Sequence, residues 1–374
     1  MKTILLVLFM LILFSPLSWA KVVFQEKTEQ EHIQVEQIAA GLDVPWGMVF
    51  LSADEILFTE RNGGLGIVSV KIGKVTKIQG MPSVMTGGQG GLLDVAVPPD
   101  YKVGDWVYFT YVKKIDGQGV TALARTKIKN GKTTAWRDVL VSFSGSDEQR
   151  HYGSRIAFDD KGHVFFTIGD RGDRSSAQDL TTHNGSILRV KRNGNVPDTN
   201  PFNGNKNALA EIWSYGHRNP QGIVFDRKND RLWAIEHGPR GGDEINLVLP
   251  GRNYGWPIIS YGKEYWGPIK VGEGSHKEGM EQPKKVYTPS IAPGSLLFYQ
   301  GKVFPGWQGD LFAGALKLTH INRVTVDAAG KLIAEERLLD DFGERIRALL
   351  EGPEGFIYFS TDSGKIFRLK PVKQ

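Results

Sequence analysis

The stretch "DDKGHVFFTIGDRGD" (residues 159–173) decides the fold. A Gly- and Asp-rich turn leads into the run Val164–Ile168, and a second Gly/Asp turn stops it. That is the punctuation of a short buried strand. The same unit recurs as "LSADEILFTERNGGLGIVSV" (51–70), "YKVGDWVYFTYV" (101–112), "DRKNDRLWAIEHGP" (226–239), "GWQGDLFAGALKLTHINRVTVD" (306–327) and "GPEGFIYFSTDSGKIFRLKP" (352–371). With Leu57, Val107, Val164, Leu232, Leu311 and Ile357 as equivalent positions, successive copies lie 46 to 79 residues apart. A period of about 40–50 residues carrying several strands is that of a β-propeller. Six copies predict an all-β, six-bladed propeller with four-stranded antiparallel blades. The longer intervals need insertions, and "PDTNPFNGNKNALAEI" (197–212) and "YGKEYWGPIKVGEGSHKEGMEQPKK" (261–285) supply them. Insertions are expected on one face, at the mouth of the central channel where propellers bind ligands.

Composition agrees. The 45 glycines, the 18 prolines and the absence of long amphipathic windows speak against helices, and no Pro/Ser tract divides the chain into two β-domains. The first residues, "MKTILLVLFMLILFSPLSWA", have Lys2, an apolar run from Ile4 to Phe14, and small residues at Ser18 and Ala20. This is the pattern of a secretory signal, cut after Ala20, and it is short for a membrane span. Residues 1–20 are therefore expected to be a signal peptide and 21–374 a single exported domain, in the periplasm. The absence of cysteine excludes disulfides, thiolate metal sites and cysteine nucleophiles together. A net charge of +5 with scattered lysines and arginines gives no nucleic-acid footprint. It suits small anionic ligands.

Five stretches bear on chemistry. "IWSYGHRNPQGIVFD" (212–226) is apolar at both ends, yet its middle gathers His217, Arg218, Asn219, Pro220 and Gln221, a row of donors suited to something anionic and flat. "DEQRHYGSRIAFDDKGHVFFTIGDRGD" (147–173) places His151 before one strand and Asp170 after the next. A hairpin would bring both to one end of the sheet, as a general base and its orienting carboxylate require; on that pattern alone a surface histidine is the more ordinary reading. In "AIEHGPRGGDEINLVLPGRNYGWP" (234–257), Gly238 and Pro239 fall where strand pairing stops, leaving carbonyls free for a hard cation such as calcium. Asp243 and Glu244 complete such a site or cap the turn, and spacing favours the cap. "FGERIRALLEGPEG" (342–355) sets Arg345 and Arg347 at period two, and Lys317 adds a cation. Solvated charge is the usual fate of such residues, but cations on loops of one face suit a ligand with several carboxylates. "TGGQGGLLDVAVPPDY" (86–101) offers Gln89 between glycine pairs and lacks the Lys-Ser/Thr ending of a phosphate loop.

Taken together, "GGQGGLLDVAVPPDY", "HYGSRIAFD", "IWSYGHRNPQG", "EHGPRGGDEIN", "NYGWP" and "GERIR" give a chain that resembles the glucose/sorbosone dehydrogenase family, and within it the soluble PQQ-dependent aldose sugar dehydrogenases. The matching blocks span about residues 41–371. The resemblance implies that His151 takes the anomeric hydroxyl proton of an aldose while hydride passes to PQQ, and that Asp170 holds His151. It implies a calcium ion on the carbonyls of Gly238 and Pro239. Arg218, Asn219, Gln221, Gln89, Ser290, Lys317, Arg345 and Arg347 would sit on the cofactor side, and Tyr265 or Trp266 would line the cofactor or sugar site. Glu244 and Tyr254 match a second, structural calcium site. Arg150 departs from the family, because an acidic residue precedes the histidine in its glucose enzymes. A calcium-dependent sugar lactonase, holding its ion with side-chain Glu, Asp and Asn in the central channel, is the alternative, and a non-catalytic binding propeller comes third. The expected partners are an aldose and an electron acceptor (a quinone, a cytochrome or, in vitro, a dye). No nucleic acid, no stable membrane insertion and a monomer or weak dimer are expected.

Overall fold

The computed structural model describes residues 20–372, so the signal-peptide reading lies outside the described residues except at Ala20. Six antiparallel sheets follow one another along the chain. Blade 1 spans 45–77, blade 2 92–141, blade 3 156–214, blade 4 220–287 and blade 5 293–338. Blade 6 takes its three inner strands from 346–371 and its outer ones from the other end of the chain. There His32–Ala39 pairs with Lys365–Pro371, from Ile33 opposite Pro371 to Ala39 opposite Ile366. Lys21–Lys27 adds a further strand outside it. The closing blade thus has five strands where four were expected.

All six residues that marked the repeat fall in the second strand of their blade: Leu57 in Glu55–Glu60, Val107 in Val107–Ile115, Val164 in His163–Ile168, Leu232 in Arg231–Glu236, Leu311 in Leu311–Ala315 and Ile357 in Ile357–Thr361. Each is buried. A second strand is covered on both faces by neighbouring blades, so its side chains are apolar without alternation and its run is easy to read.

The innermost strands meet at a single side chain. Arg155, just before Ile156–Phe158 of blade 3, donates from Nη1 to Asp94 Oδ1 (3.0 Å) and Trp46 O (3.2 Å). Its Nη2 reaches Gly294 O (2.5 Å) and Arg347 O (2.8 Å), and its Nε reaches Gln221 O (2.9 Å). One guanidinium therefore bonds to the inner strands of all five other blades. It also stacks on Trp46, 3.9 Å from the ring centroid. Burial, outweighing the partner's charge in each case, lifts the Asp94 carboxyl and pulls Arg155 down to about 10. This hub closes the channel between its two mouths.

The links that enter each innermost strand and the links between second and third strands share one face. The two insertions leave from the other face, since both lie between a third and a fourth strand, at 192–211 and 249–284. This corrects the expectation that insertions would gather at the ligand face. The second one nevertheless climbs beside blade 3, bridging Asn253 to Tyr215 and bonding Trp256 N to Gly216 O (2.8 Å). Its middle thereby reaches the face that carries the candidate residues.

Candidate functional site

His151 and Asp170 end up where the hairpin argument puts them. Ile156 pairs with Phe166 and Phe158 with Val164, so the residues flanking this hairpin emerge together. Gly169 permits the contact, because a Cβ there would lie 2.4 Å from His151 O. His151 Nδ1 lies 2.6 Å from Asp170 Oδ1. Asp170 Oδ1 also accepts from Gly172 N (2.8 Å), and Oδ2 accepts from Trp256 Nε1 (2.8 Å). Burial raises the Asp170 carboxyl, but the bonds from His151 and Gly172 and the charge of Arg218 outweigh it and hold the group below the usual range. An ionised carboxylate only accepts, so Nδ1 carries the proton and Nε2 keeps a free lone pair. Burial pulls the imidazole below its ordinary range against the pull of Asp170, and Arg218 and Arg150 add to the lowering. His151 is thus a neutral base at neutral pH. Its backbone is held in the left-handed region (φ +55°), and its N–H donates to Gln89 Oε1 (2.7 Å). Among the described residues Nε2 has no partner.

Beside this pair lies a cavity of about 210 Å³ whose walls include Trp46, Arg61, Gln89, Asn219, Arg345 and Arg347. The polar loop at 217–221 divides its labour. His217 turns inward, between Glu236 Oε1 (2.8 Å) and Ser214 Oγ (2.9 Å), with its ring stacked on Tyr254. Gln221 Nε2 bonds Gly153 O (2.9 Å), and Asn219 Oδ1 accepts from Gly153 N (3.2 Å). Arg218 is the unusual member. It is buried, its Nη1 reaches only the carbonyls of His237 (3.2 Å) and Gly238 (3.0 Å), and its Nε is buried with no partner. Among the described residues no carboxylate pairs with it. Arg345 and Arg347 share Asp362, which accepts from Arg345 Nε (2.9 Å), Arg347 Nε (2.8 Å) and Arg347 Nη2 (3.0 Å). Two guanidinium groups on one carboxylate leave a net positive wall. A wider cavity of about 360 Å³ opens at the other mouth, beneath Arg155. The buried charges in its lining are Arg155 and Asp94, which satisfy each other.

The turn after blade 4's second strand differs from expectation. The carbonyls of Gly238 and Pro239 have donors close by: Arg218 Nη1 donates to the first, and the single Ser290 hydroxyl proton is shared between the second (3.1 Å) and Asp243 Oδ1 (2.9 Å). Each oxygen has two lone pairs, so one remains on each. Asp243 is the cap that spacing favoured, accepting from Gly238 N (2.9 Å), Ser290 Oγ (2.9 Å) and Ala292 N (2.8 Å). Burial pushes its carboxyl up to about 6. Glu244 has only Asn246 Nδ2 near its carboxylate, at 3.5 Å, and burial beside Glu236 raises it strongly. An underbonded buried carboxyl of this kind fits a cation. Tyr254 stands beside it in a small cleft, its hydroxyl committed to Leu247 O (2.6 Å) and Leu249 N (2.8 Å). This leaves the Tyr254 carbonyl, rather than its hydroxyl, as a candidate ligand.

Lys317 is exposed on the same face, at the turn after blade 5's second strand. Tyr265 and Trp266 stand outside the cavity wall, at 63% and 74% exposure, on a finger tied down by the Arg174–Glu264 pair (2.6 and 2.9 Å). The sequence reading missed Arg61, Trp46, His237, Trp256 and Asp362. Asp362 reads as an ordinary turn residue in "STDSG", and Trp256 as core. His237 carried a signal, as a histidine beside Gly238-Pro239; it donates from Nε2 to Pro293 O (2.7 Å), and burial drives it down to about 3.

With this geometry in view, the comparisons with known proteins agree. The family model described as Glucose / Sorbosone dehydrogenase matches residues 42–368. The aldose sugar dehydrogenase YliI of Escherichia coli (strain K12) is 38% identical over 346 residues, 91% of this chain and 93% of that protein. The crystal structure of a soluble aldose sugar dehydrogenase from Escherichia coli in the apo-form superposes with a TM-score of 0.86 at 36% identity, covering 91% of this chain and 100% of the other. Quinoprotein glucose dehydrogenase B of Acinetobacter calcoaceticus is 26% identical over 419 residues, 90% of this chain and 87% of its own length.

Proposed function

Because this chain belongs to the glucose/sorbosone dehydrogenase family, we propose that it oxidises aldose sugars at the anomeric carbon to lactones, with PQQ and calcium as cofactors. One observation carries the reading: a neutral, carboxylate-held histidine with a free Nε2 opens on the same face as a buried guanidinium that, among the described residues, no carboxylate pairs with directly. A buried, uncompensated cation is costly, and an anionic ligand removes the cost. A ligand with several carboxylates fits the wall of Arg345 and Arg347 with Asn219, Gln89 and Gln221, with Arg218 in the adjoining cleft, Ser290 and Lys317 around it, and Tyr265 at the rim. The remaining lone pairs on Gly238 O and Pro239 O fit calcium, and Glu244 with Tyr254 fits a second ion. When bound, PQQ supplies an ortho-quinone that accepts hydride, and calcium against it supplies Lewis-acid polarisation.

The rest is the chain's own work. His151 Nε2 receives the proton of the anomeric hydroxyl, and Asp170 stabilises the imidazolium that forms. Gln89 holds the His151 backbone, and Trp256 fixes Asp170, so the base is in place before the sugar arrives. Export of residues 21–374 to the periplasm as one unit belongs to the same proposal. Among the described residues the first strand begins at Lys21, the residue after the expected cut.

The test is reconstitution. Protein given PQQ and calcium should reduce a dye with aldoses, and His151→Ala should lower turnover by at least ~10²-fold while PQQ stays bound, read by its absorbance. Equal turnover in His151→Ala would remove the base, and lactone hydrolysis by cofactor-free protein would promote the lactonase.

A further inference from the structure

We propose that Arg150 selects an aldose carrying a negative charge, such as a uronic acid, over its neutral parent; this rests on the dehydrogenase reading and narrows its substrate class. Arg150 immediately precedes the base. Its guanidinium lies over Gly172, where a Cβ would come 2.7 Å from Nε and 3.2 Å from Nη2. Gly172 N in turn holds Asp170 Oδ1, so the cation is stationed on the solvent side of the His151–Asp170 pair. The contact requires glycine at 172, whose φ of +85° also favours it.

The charge is available. Its only ion-pair partner among the described residues is Glu148, a single contact at 3.3 Å between side chains 51% and 57% exposed. An exposed one-point pair is weak and screened, whereas a substrate carboxylate can engage a guanidinium through two parallel bonds. The other acids nearby do not close it: Asp173 is committed to Ser175 N and Oγ, and Asp147 makes no ion pair among the described residues. Across the cleft, Arg174 is already closed by Glu264. Arg61, Arg345 and Arg347 line the cavity beside the pair, and Arg218 lines the small cleft it shares with Glu244 and Tyr254. Arg150 is thus the weakly paired cation that adjoins the base outside both.

The loop that presents it is rigid. Arg171 is wholly buried and stacks on Tyr152, 3.6 Å from the ring centroid. It donates to Glu148 O (2.9 Å), Arg150 O (3.2 Å) and Gly119 O (3.3 Å). These bonds hold the backbone on both sides of Gln149, so the stem of Arg150 leaves the chain at one place beside His151, and its guanidinium reaches a charged sugar from there.

The experiment compares D-glucose with D-glucuronate, D-galactose with D-galacturonate, and D-glucose with its 6-phosphate, in wild type and Arg150→Gln. In the reconstituted enzyme, kcat/KM for at least one anionic sugar should exceed that of its neutral parent by about 10-fold or more. In Arg150→Gln the ratio should fall to near one, carried mainly by KM. The uronates and the phosphate separate carboxylate from phosphate recognition. Calorimetry of glucuronate against protein carrying reduced cofactor, and against cofactor-free protein, reads the same selectivity without turnover. Arg150-dependent binding of glucuronate by a protein that reduces no dye would keep this inference and end the dehydrogenase reading. Equal efficiency with charged and neutral sugars, or a preference that survives Arg150→Gln, would overturn the inference and leave the dehydrogenase reading standing.

Discussion

Arg155 and Arg218 are both buried guanidinium groups near the propeller axis, and they are built in opposite ways. Arg155 has a carboxylate partner in Asp94 and carbonyl acceptors from four further blades. Arg218 has two carbonyls, no carboxylate, and a buried Nε without a partner. A buried polar group is normally satisfied, and one that is not calls for a reason. The first arginine is satisfied by the fold and the second is left for a ligand. Burial alone does not distinguish structure from function; the completeness of the hydrogen bonding does.

The hub half of this contrast predicts the largest effect. Arg155→Met leaves Asp94 charged and buried and takes donors from four carbonyls. The loss should be about 3–5 kcal/mol, read as a lower denaturant midpoint. Adding Asp94→Leu should recover only part of it, because the carbonyls of Trp46, Gln221, Gly294 and Arg347 remain without their donor. An Arg155→Met midpoint within error of wild type would break the contrast at its structural end.

Arg218→Met should behave in the opposite sense. Removing an unpaired buried charge should leave the stability of cofactor-free protein within about 1 kcal/mol of wild type, or raise it. PQQ affinity should fall by about 10- to 100-fold, the worth of a charge-assisted bond, and the PQQ-induced rise in Tm should shrink with it. A loss of cofactor-free stability as large as that of Arg155→Met would make Arg218 a second hub and remove the main support for an anionic ligand.

The parts of this molecule that were legible in sequence are those set by local pattern. The six second strands were readable because each is apolar on both faces. Ile156–Phe158, three residues long, is too short to carry a period of its own. The outer strands of blade 6 escaped for another reason: their place depends on the two ends of the chain meeting, as Glu36 of the fourth strand meets Arg368 across 332 positions. His151 and Asp170 could be paired because a hairpin joins them. Asp362 could not be tied to Arg345 and Arg347, since a carboxylate in a Gly/Ser turn reads as a solvated one. For Gly238 and Pro239 the sequence shows where strand pairing stops, which leaves the carbonyls free, but not the approach of Arg218 and Ser290 to them.

Trp256 tests the smallest version of the same contrast, a satisfied group with one bond removed. It lies 86 residues from Asp170 in sequence and donates from Nε1 to Asp170 Oδ2 at 2.8 Å. Phenylalanine keeps the ring that lies near Arg218 (5.3 Å from Cζ to the ring centroid of Trp256) and loses only the donor. The sign of the pH effect follows from that loss. His151 is held below the ordinary histidine range by burial, so wild-type kcat/KM should keep its acid limb below about pH 6.5, the pH at which an ordinary histidine charges. A carboxylate with one donor fewer attracts the imidazolium more strongly, so in Trp256→Phe the His151 pKa rises and the acid limb moves to higher pH. The rate on the plateau should fall by about 3- to 10-fold, as a lost hydrogen bond of about 1 kcal/mol implies. A plateau loss with an unmoved limb would mean that Trp256 acts on the cofactor side of the cleft, through Arg218, rather than on the base through Asp170.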